Sequence, residues 1–281
     1  RTAFEKYTAL AKEEQEMITN RDKLLDLQDL FLSDTLAIID TIDITAAGII
    51  DFVNNTGILP KTSAITKETY YDFFKKFTDE GYRVIHFCIS SKASSCYEHA
   101  EAAAKELSGV YVVDSYSLSA GQGLQILKAA DMIKSGMSAE DIFTAAKTLN
   151  EKVQTSFVVD RLDFLHKGGR CSSVALVASK FLKIHPSIAI TDGALAVKKK
   201  YAGALKRALV QYVDDLADEF KNYDNTRAIL IHSPADEDVV NLVRNEVKTK
   251  FAFNEIIDVS AGSTVTSHCG YNTVGVMFFL K

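Results

Sequence analysis

Two short apolar runs, residues 84–89 and 110–114, limit most narrowly how this chain can fold. Each run is followed by a cluster of serines and then by a segment with helical periodicity. Near-continuous apolar runs of this length are typical of parallel strands that are covered on both faces. The alternation of strand and helix therefore predicts an α/β fold with right-handed crossover connections.

Four hydroxyl groups follow the first run, at Ser90, Ser91, Ser94 and Ser95, and an alanine-rich segment comes next. A turn between a strand and a helix directs backbone N–H groups and hydroxyls toward one place. The beginning of a helix also favours negative charge. The sequence therefore predicts an anion site here, suited to a carboxylate or a phosphate.

The segments before these strands are predicted to be mostly helical. Apolar residues recur at spacings of three and four over residues 3–32, and residues 42–53 form a second helix with Thr45 as a possible cap. A third helix begins at Thr66 and is expected to bury one aromatic face. That face comprises Tyr70, Phe73, Phe74 and Phe77.

From residue 156 the pattern changes to shorter strands with antiparallel connections. Asp192-Gly193 lies between two extended stretches and is the strongest hairpin signal in the chain. Two amphipathic helices and three further strands follow, and residues 266–270 form a polar loop before the last strand. We therefore predict an N-terminal α/β domain over residues 1–154 and a C-terminal α+β domain over residues 155–281.

The composition argues against several classes of protein. Hydrophobic residues make up 47% of the 281 residues and charged residues 25%, which is typical of a soluble globular protein. No apolar run is long enough for a membrane span and no signal peptide is evident, so we expect a cytoplasmic protein. The net charge of −5 argues against a nucleic-acid-binding face. The scattered cysteines predict neither a disulfide framework nor a metal site.

Two glycines, Gly121 and Gly123, begin a helix after a strand, as in a dinucleotide-binding fingerprint. The third glycine and the acidic residue about 20 positions further on are missing. Close packing of the helix explains the glycines better. Neither a G-x-S-x-G elbow nor a P-loop occurs, so the common hydrolase and kinase arrangements are not indicated.

Three polar segments are predicted to follow or flank strands: Thr62-Ser63, the turn that contains Ser94, and the segment around His268. Ligands of open α/β sheets bind at the edge where the strands end. A lone serine or histidine is more often structural than functional, but convergence of the three segments would make a site of them.

Five ordered motifs from about residue 57 onward resemble those of the DegV family of bacterial fatty-acid-binding proteins. Pro60-Lys61-Thr62-Ser63-Ala64-Ile65-Thr66 matches the family pattern P-x-T-S-x-P-[ST], and residues 89–100 match I-S-S-x-L-S-G-T-Y-x-x-A. Residues 112–115 match V-V-D-S, and residues 119–123 match the S-x-G-x-G that follows it. Residues 162–170 match L-x-x-L-x-x-G-G-R, and His268-Cys269-Gly270 matches H-x-G.

The resemblance implies a two-domain fold with a lipid tunnel between the domains, which holds one long-chain fatty acid. By analogy Thr62, Ser94 and His268 bind the carboxylate. The same analogy makes Ser63, Ser95, Cys96 and Gly270 possible supporting residues and Arg170 a possible partner contact. It further implies a carrier that presents the acid to a kinase for acyl-phosphate formation, with no catalysis and no cofactor of its own.

The chain departs from the family pattern at several positions. Ser95 and Cys96 stand where the family has glycine and threonine, and Ala202 stands where it has an arginine. The first family strand, with its D-S motif, is not recognisable in residues 1–32.

Two other functions remain open. Ser94 and His268 could act as nucleophile and base in a small-molecule hydrolase or phosphotransferase, although no orienting carboxylate is evident. A regulatory protein that senses a lipid or a small anion would differ from a carrier only in its partner.

Overall fold

The computed structural model describes residues 44–169 and 184–281. The predicted helix at residues 3–32 and the possible partner residue Arg170 lie outside the described residues. The helices are α1 (Ala46–Thr56), α2 (Lys67–Asp79), α3 (Cys96–Ala104), α4 (Ser119–Lys134), α5 (Ala139–Ala146), α6 (Leu162–Gly168), α7 (Leu205–Glu219), α8 (Glu237–Lys250) and α9 (Ser263–Cys269), with a 3₁₀ turn at Leu149–Lys152. The strands are β1 (Val84–Cys88), β2 (Val110–Asp114), β3 (Val153–Val158), β4 (Ile184–Thr191), β5 (Ala194–Ala202), β6 (Tyr223–His232), β7 (Glu255–Ser260) and β8 (Val274–Leu280).

Strands β1 and β2 form a parallel pair, in register from Val84 opposite Val110 to Cys88 opposite Asp114. One face packs against α2 and α3, where Phe74 is fully buried. Side chains of α4 and α5, including Leu124, cover the other face. The predicted α/β arrangement is confirmed, with apolar strands buried on both sides.

The second sheet has six strands in the order β5-β4-β3-β8-β6-β7. Only the β6–β7 pair is parallel; the other neighbours run antiparallel. Helices α7 and α8 cover one face. Helix α4 packs against β3, β6 and β8 as well as β1, so it lies between the two sheets.

Strand β3 pairs with β8 along its whole length and with β4 at its end. The predicted boundary between residues 154 and 155 falls inside this strand. The division of the chain into domains 1–154 and 155–281 stays a prediction.

The predicted loop at residues 266–270 is wrong, because most of it belongs to helix α9. Its sequence favours a loop, since serine and threonine compete for backbone hydrogen bonds in short helices. Here those hydroxyls are used inside the structure. Ser267 Oγ donates to the carbonyl of Ser263 (2.8 Å), and Ser263 Oγ donates to the carbonyl of Ile44 (2.9 Å).

The predicted aromatic face of α2 is also partly wrong. Tyr70 and Phe74, four residues apart, are 6% and 0% exposed, whereas Phe73 is 45% exposed. Phe73 packs on Phe77 with ring centroids 5.3 Å apart, at the border of the buried face. The four positions span only about 100° of the helix and do share one face, but only Tyr70 and Phe74 belong to the buried cluster with β1, β2 and α3.

The helix caps and the hairpin turn predicted from local sequence are present in the structure. Thr45 and Thr66 cap α1 and α2, and each accepts from the backbone N–H of the third residue of its helix. Asp192 and Gly193 have φ values of 49° and 78°, as a tight hairpin turn requires. Within residues 44–169 and 184–281, no helix is both long and apolar enough to cross a bilayer.

Candidate functional site

The structure brings together two of the three predicted carboxylate-binding residues. Thr62 lies in the segment between α1 and α2, and His268 lies in the last turn of α9. Thr62 Oγ1 is 2.8 Å from His268 Nε2, and both side chains are half-buried. The two residues are 206 positions apart in the chain. Helix α1 packs along α9 and so carries the Thr62 segment to the histidine.

Gly168, the last residue of α6, lies directly against the other side of the His268 ring. A Cβ atom at Gly168 would lie 2.4 Å from His268 Nδ1, far inside van der Waals contact. In the same way, a Cβ at Gly270 would lie 2.8 Å from the Phe164 ring. The sequence indicated a helix end at Gly168-Gly169, but not that the first glycine makes room for the histidine.

Ser94 lies in the turn before α3. Its N–H donates to the carbonyl of Ser90 (3.2 Å), and its Oγ is 3.2 Å from Cys96 Sγ and accepts from the Cys96 N–H (3.3 Å). Within the described chain no hydrogen bond joins Ser94 to Thr62 or His268. The two segments are linked instead through His99 of α3, whose Nδ1 is 2.6 Å from the carbonyl of Ile65.

The supporting residues have different surroundings. Ser63 and Ser95 are exposed, and Ser95 precedes α3 without a side-chain cap bond. Cys96 is half-buried beside Ser94. Gly270 ends α9 with a φ of 76°, a conformation that glycine adopts without strain. Their roles at a head group stay predictions.

A small apolar cavity of about 20 Å³ lies beside α9. This volume is enough for about one water molecule and is far below the roughly 300–1,000 Å³ of ligand pockets, so an acyl chain needs the surrounding side chains to move apart. Its apolar lining includes Leu118, Phe157, Ile231, Val265, Cys269 and Met277. Two of these residues, Val265 and Cys269, belong to the same helix as His268. The cavity therefore borders the helix that also carries His268, although neither His268 nor Thr62 lines it.

The buried thiols around the site are not activated nucleophiles. Burial raises the pKa of Cys269 to about 12 and that of Cys88 to about 12. The serine–histidine pair that a hydrolase would need is not formed either, since His268 Nε2 faces Thr62 and Ser94 Oγ faces Cys96. The polar side chains Thr62, Ser94 and His268 therefore act as hydrogen-bonding groups in this structure.

Gly121 has a packing role, as predicted. A Cβ there would lie 2.2 Å from both Ser117 Oγ and Thr155 Oγ1, two groups that hydrogen-bond to each other at 2.9 Å. The glycine lets α4 approach β3 closely.

Comparison with known proteins places these motifs in one family. The family model described as "Uncharacterised protein, DegV family" matches residues 32–281. A DegV domain-containing protein of Clostridium acetobutylicum is 31% identical over 244 residues, which is 86% of this chain and 86% of that protein. A fatty acid-binding protein of Thermotoga maritima is 30% identical over 230 residues, covering 79% of this chain and 78% of that protein.

A solved structure of another DegV family protein has a similar fold. It belongs to a DegV family protein of Thermus thermophilus and is described as showing fatty acid binding. Its TM-score against this chain is 0.75 at 26% identity, and the match covers 86% of each chain. The two-domain α/β architecture is therefore common to this chain and that protein.

Proposed function

We propose, because the chain belongs to the DegV family, that it binds a single long-chain fatty acid whose carboxylate is held by Thr62, Ser94 and His268. The observation that carries the proposal is the Thr62–His268 pair, 2.8 Å apart, whose histidine lies on a helix that also borders a small apolar cavity. Relatives from Thermotoga maritima and Thermus thermophilus, which are described as binding fatty acids, support the choice of ligand.

Burial of the acyl tail supplies most of the affinity in this proposal. About fifteen methylenes at roughly 0.8 kcal/mol each amount to about 12 kcal/mol before ordering costs. The apolar side chains beside α9, such as Phe157, Ile231 and Met277, would separate to admit the first part of the tail.

The polar residues orient the acid. An ionised carboxylate is costly to bury unless donors meet it, and hydrogen bonds to a charged group are stronger than neutral ones. The hydroxyls of Thr62 and Ser94 and the ring of His268 are such donors. The N–H groups at the start of α3 add favourable charge.

The protein is a carrier rather than a catalyst in this proposal. It presents the bound acid to a separate kinase, which makes the acyl phosphate and supplies the ATP site. Such a reaction belongs in the cytoplasm, where ATP is available, and contact with the membrane is limited to brief exchange of the lipid. Arg170 is the proposed contact for the kinase.

Binding of palmitate, measured by native mass spectrometry and by displacement of a fluorescent fatty acid, tests the proposal. Ser94→Ala should weaken palmitate binding by about 1–3 kcal/mol, because one hydrogen bond to a charged group is lost. Ser91→Ala is the matched control: it removes a half-buried neighbouring hydroxyl for which the described part of the chain provides no partner. A wild-type protein that never takes up palmitate would refute the proposal.

The hydrolase alternative is tested with the same proteins. It requires turnover of ester or phosphoryl substrates that disappears in His268→Ala. The carrier proposal requires no turnover in either protein and a loss of palmitate affinity in the variant.

A further inference from the structure

We propose that Ser90 is a positioning residue for the head-group serine Ser94, and that it couples this serine to the hairpin turn Asp192-Gly193 of the six-stranded sheet. The inference rests on the proposed function, since it assumes that Ser94 binds the carboxylate. Ser90 itself is completely buried and has no access to a ligand.

Ser90 is at the centre of the hydrogen bonds that shape the turn. Its carbonyl accepts from the N–H groups of Ala93 (2.9 Å) and Ser94 (3.2 Å). Its Oγ accepts from the Lys92 N–H (3.2 Å), and its own N–H donates to the carbonyl of Ser117 (2.8 Å). These bonds hold the backbone that carries Ser94, together with the bond from the Ser91 N–H to the Asp114 carboxylate (3.2 Å).

The remaining hydrogen bond of Ser90 crosses to the other sheet. Its Oγ donates to the carbonyl of Gly193 at 2.6 Å in a buried environment, across 103 positions of sequence. The hydroxyl therefore serves two purposes at once. It closes the turn through Lys92 and fastens that turn to the tip of the β4–β5 hairpin.

The hairpin tip at Gly193 packs closely against Ser90, Lys92 and Tyr116. A Cβ at Gly193 would lie 2.7 Å from Ser90 Oγ, 2.7 Å from Tyr116 Cδ1 and 3.2 Å from Lys92 Cγ. Gly193 is buried although its neighbours Asp192 and Ala194 are exposed. Position 193 requires glycine for two reasons: its backbone is left-handed, and a Cβ atom would overlap the neighbouring side chains.

Loss of the Ser90 hydroxyl has a defined consequence. The Gly193 carbonyl would be left buried without its donor, which favours undocking of the hairpin tip. The Lys92 N–H would lose its acceptor, and the turn at Ser94 would become looser. Ser90→Ala should therefore weaken palmitate binding by about tenfold, the equivalent of about 1.4 kcal/mol.

A matched control separates positioning from general destabilisation. Ser115 is also completely buried, and its Oγ donates to the Ser117 carbonyl (3.1 Å) and accepts from the Ser117 N–H (3.2 Å). These bonds do not reach the hairpin, and the Ser117 carbonyl keeps its other donor, the Ser90 N–H, in Ser115→Ala. Ser115→Ala should lower the free energy of unfolding about as much as Ser90→Ala and leave palmitate affinity within about twofold of wild type.

A double-mutant cycle identifies the route of the effect. If Ser90 acts through Ser94, adding Ser90→Ala to Ser94→Ala should raise the palmitate Kd by less than about twofold. Independent, multiplicative effects of the two substitutions would overturn the inference.

Hydrogen exchange of the unliganded protein tests the coupling without any ligand. Ser90→Ala should speed exchange of the amides at residues 92–94 and at the hairpin tip, whereas Ser115→Ala should leave the hairpin unchanged. Faster exchange in the turn alone would overturn the coupling. Failure of wild type to bind palmitate would instead count against the proposed function, so the two failures are distinguishable.

A second variant covers the case in which Ser90→Ala does not fold. Gly193→Asn retains a residue that tolerates positive φ, but its side chain cannot fit beside Ser90 and Tyr116. It should weaken palmitate binding about tenfold although residue 193 belongs to the other sheet. Unchanged affinity in Gly193→Asn would overturn the inference.

Discussion

Substitution of Gly168 by alanine should displace His268 and weaken its contact with Thr62. The added Cβ would lie 2.4 Å from His268 Nδ1, whereas carbon and nitrogen atoms in contact lie about 3.4 Å or more apart. The ring must therefore move by about 1 Å. A shift of that size away from Gly168 is enough to disturb the 2.8 Å contact between His268 Nε2 and Thr62 Oγ1.

The expected cost follows from two contributions. Overpacking of a tight contact destabilises by about 1–3 kcal/mol, and loss of one hydrogen bond adds about 1 kcal/mol. Urea denaturation of Gly168→Ala should therefore show a free energy of unfolding lower by about 2–4 kcal/mol. Under the proposed function, the palmitate Kd should rise at the same time, because His268, one of the proposed donors to the carboxylate, is displaced.

Gly123→Ala is the control for this prediction. Gly123 also lies in a helix, but a Cβ there would meet only Ile229 Cδ1, at an ordinary distance of 3.9 Å. Alanine should be neutral or stabilise α4 by up to about 1 kcal/mol. Two-dimensional NMR of the histidine ring protons reports the position of His268 directly. If Gly168→Ala leaves the His268 resonances and the stability unchanged, the steric reasoning is refuted.

Two further predictions concern titrating groups. The Asp160 carboxylate, 3.2 Å from His185 Nδ1, raises the pKa of this buried histidine. The pair therefore stabilises the protein fully below about pH 6.5, the ordinary pKa of histidine, and stabilises it less as the pH rises through the raised pKa. Asp160→Asn should therefore lower the free energy of unfolding more at pH 6 than at pH 9, and an equal loss at both pH values in urea denaturation would contradict this. Because burial raises the pKa of Cys88 and Cys269 to about 12 each, iodoacetamide at pH 8 should label half-buried Cys96 before either of them. Peptide mapping by mass spectrometry checks the order, with urea-unfolded protein as the control in which all are labelled.

The sequence predicted those parts of the fold that depend on local chemistry. Strand β2 was predicted at its observed bounds, and the caps at Thr45 and Thr66 and the turn at Asp192-Gly193 were all correct. Each of these depends on a few adjacent residues with strong steric or hydrogen-bonding preferences. Such preferences survive in the folded protein because packing does not oppose them.

Helix α9 shows where local chemistry is insufficient. A run of serine and threonine is a poor helix former, and α9 is stabilised by the bond from Ser263 Oγ to the Ile44 carbonyl and by the apolar side chains that line the cavity. These are tertiary contacts, which no local pattern contains, whereas the Ser267–Ser263 bond lies within the helix. The position of His268 on a helix, rather than in a loop, could therefore not be predicted.

The candidate site was predicted in outline from two arguments: ligands of open α/β sheets bind at the edge where the strands end, and the motifs resemble those of the DegV family. The expectation that Thr62 and His268 would meet agrees with their 2.8 Å contact, while the place of Ser94 in the same site stays a prediction. Gly168 could not be assigned its contact with His268, since a glycine at the end of α6 is already explained as part of a helix terminus. Only the three-dimensional arrangement shows that it has a second reason to be glycine.

Three contacts between distant parts of the chain help to position the residues proposed to bind the carboxylate. Ser263 bonds to the carbonyl of Ile44, Gly168 lies against His268, and Ser90 bonds to the hairpin at Gly193. The first two contacts involve α9, which carries His268, and the third involves the turn that carries Ser94. In a closely packed protein a displaced element moves as a unit, so a change in any of these contacts reaches the carboxylate site. Under the proposed function, affinity for the acid should therefore depend on these contacts as well as on the side chains that touch it, and only the Ser90–Gly193 contact joins the two sheets.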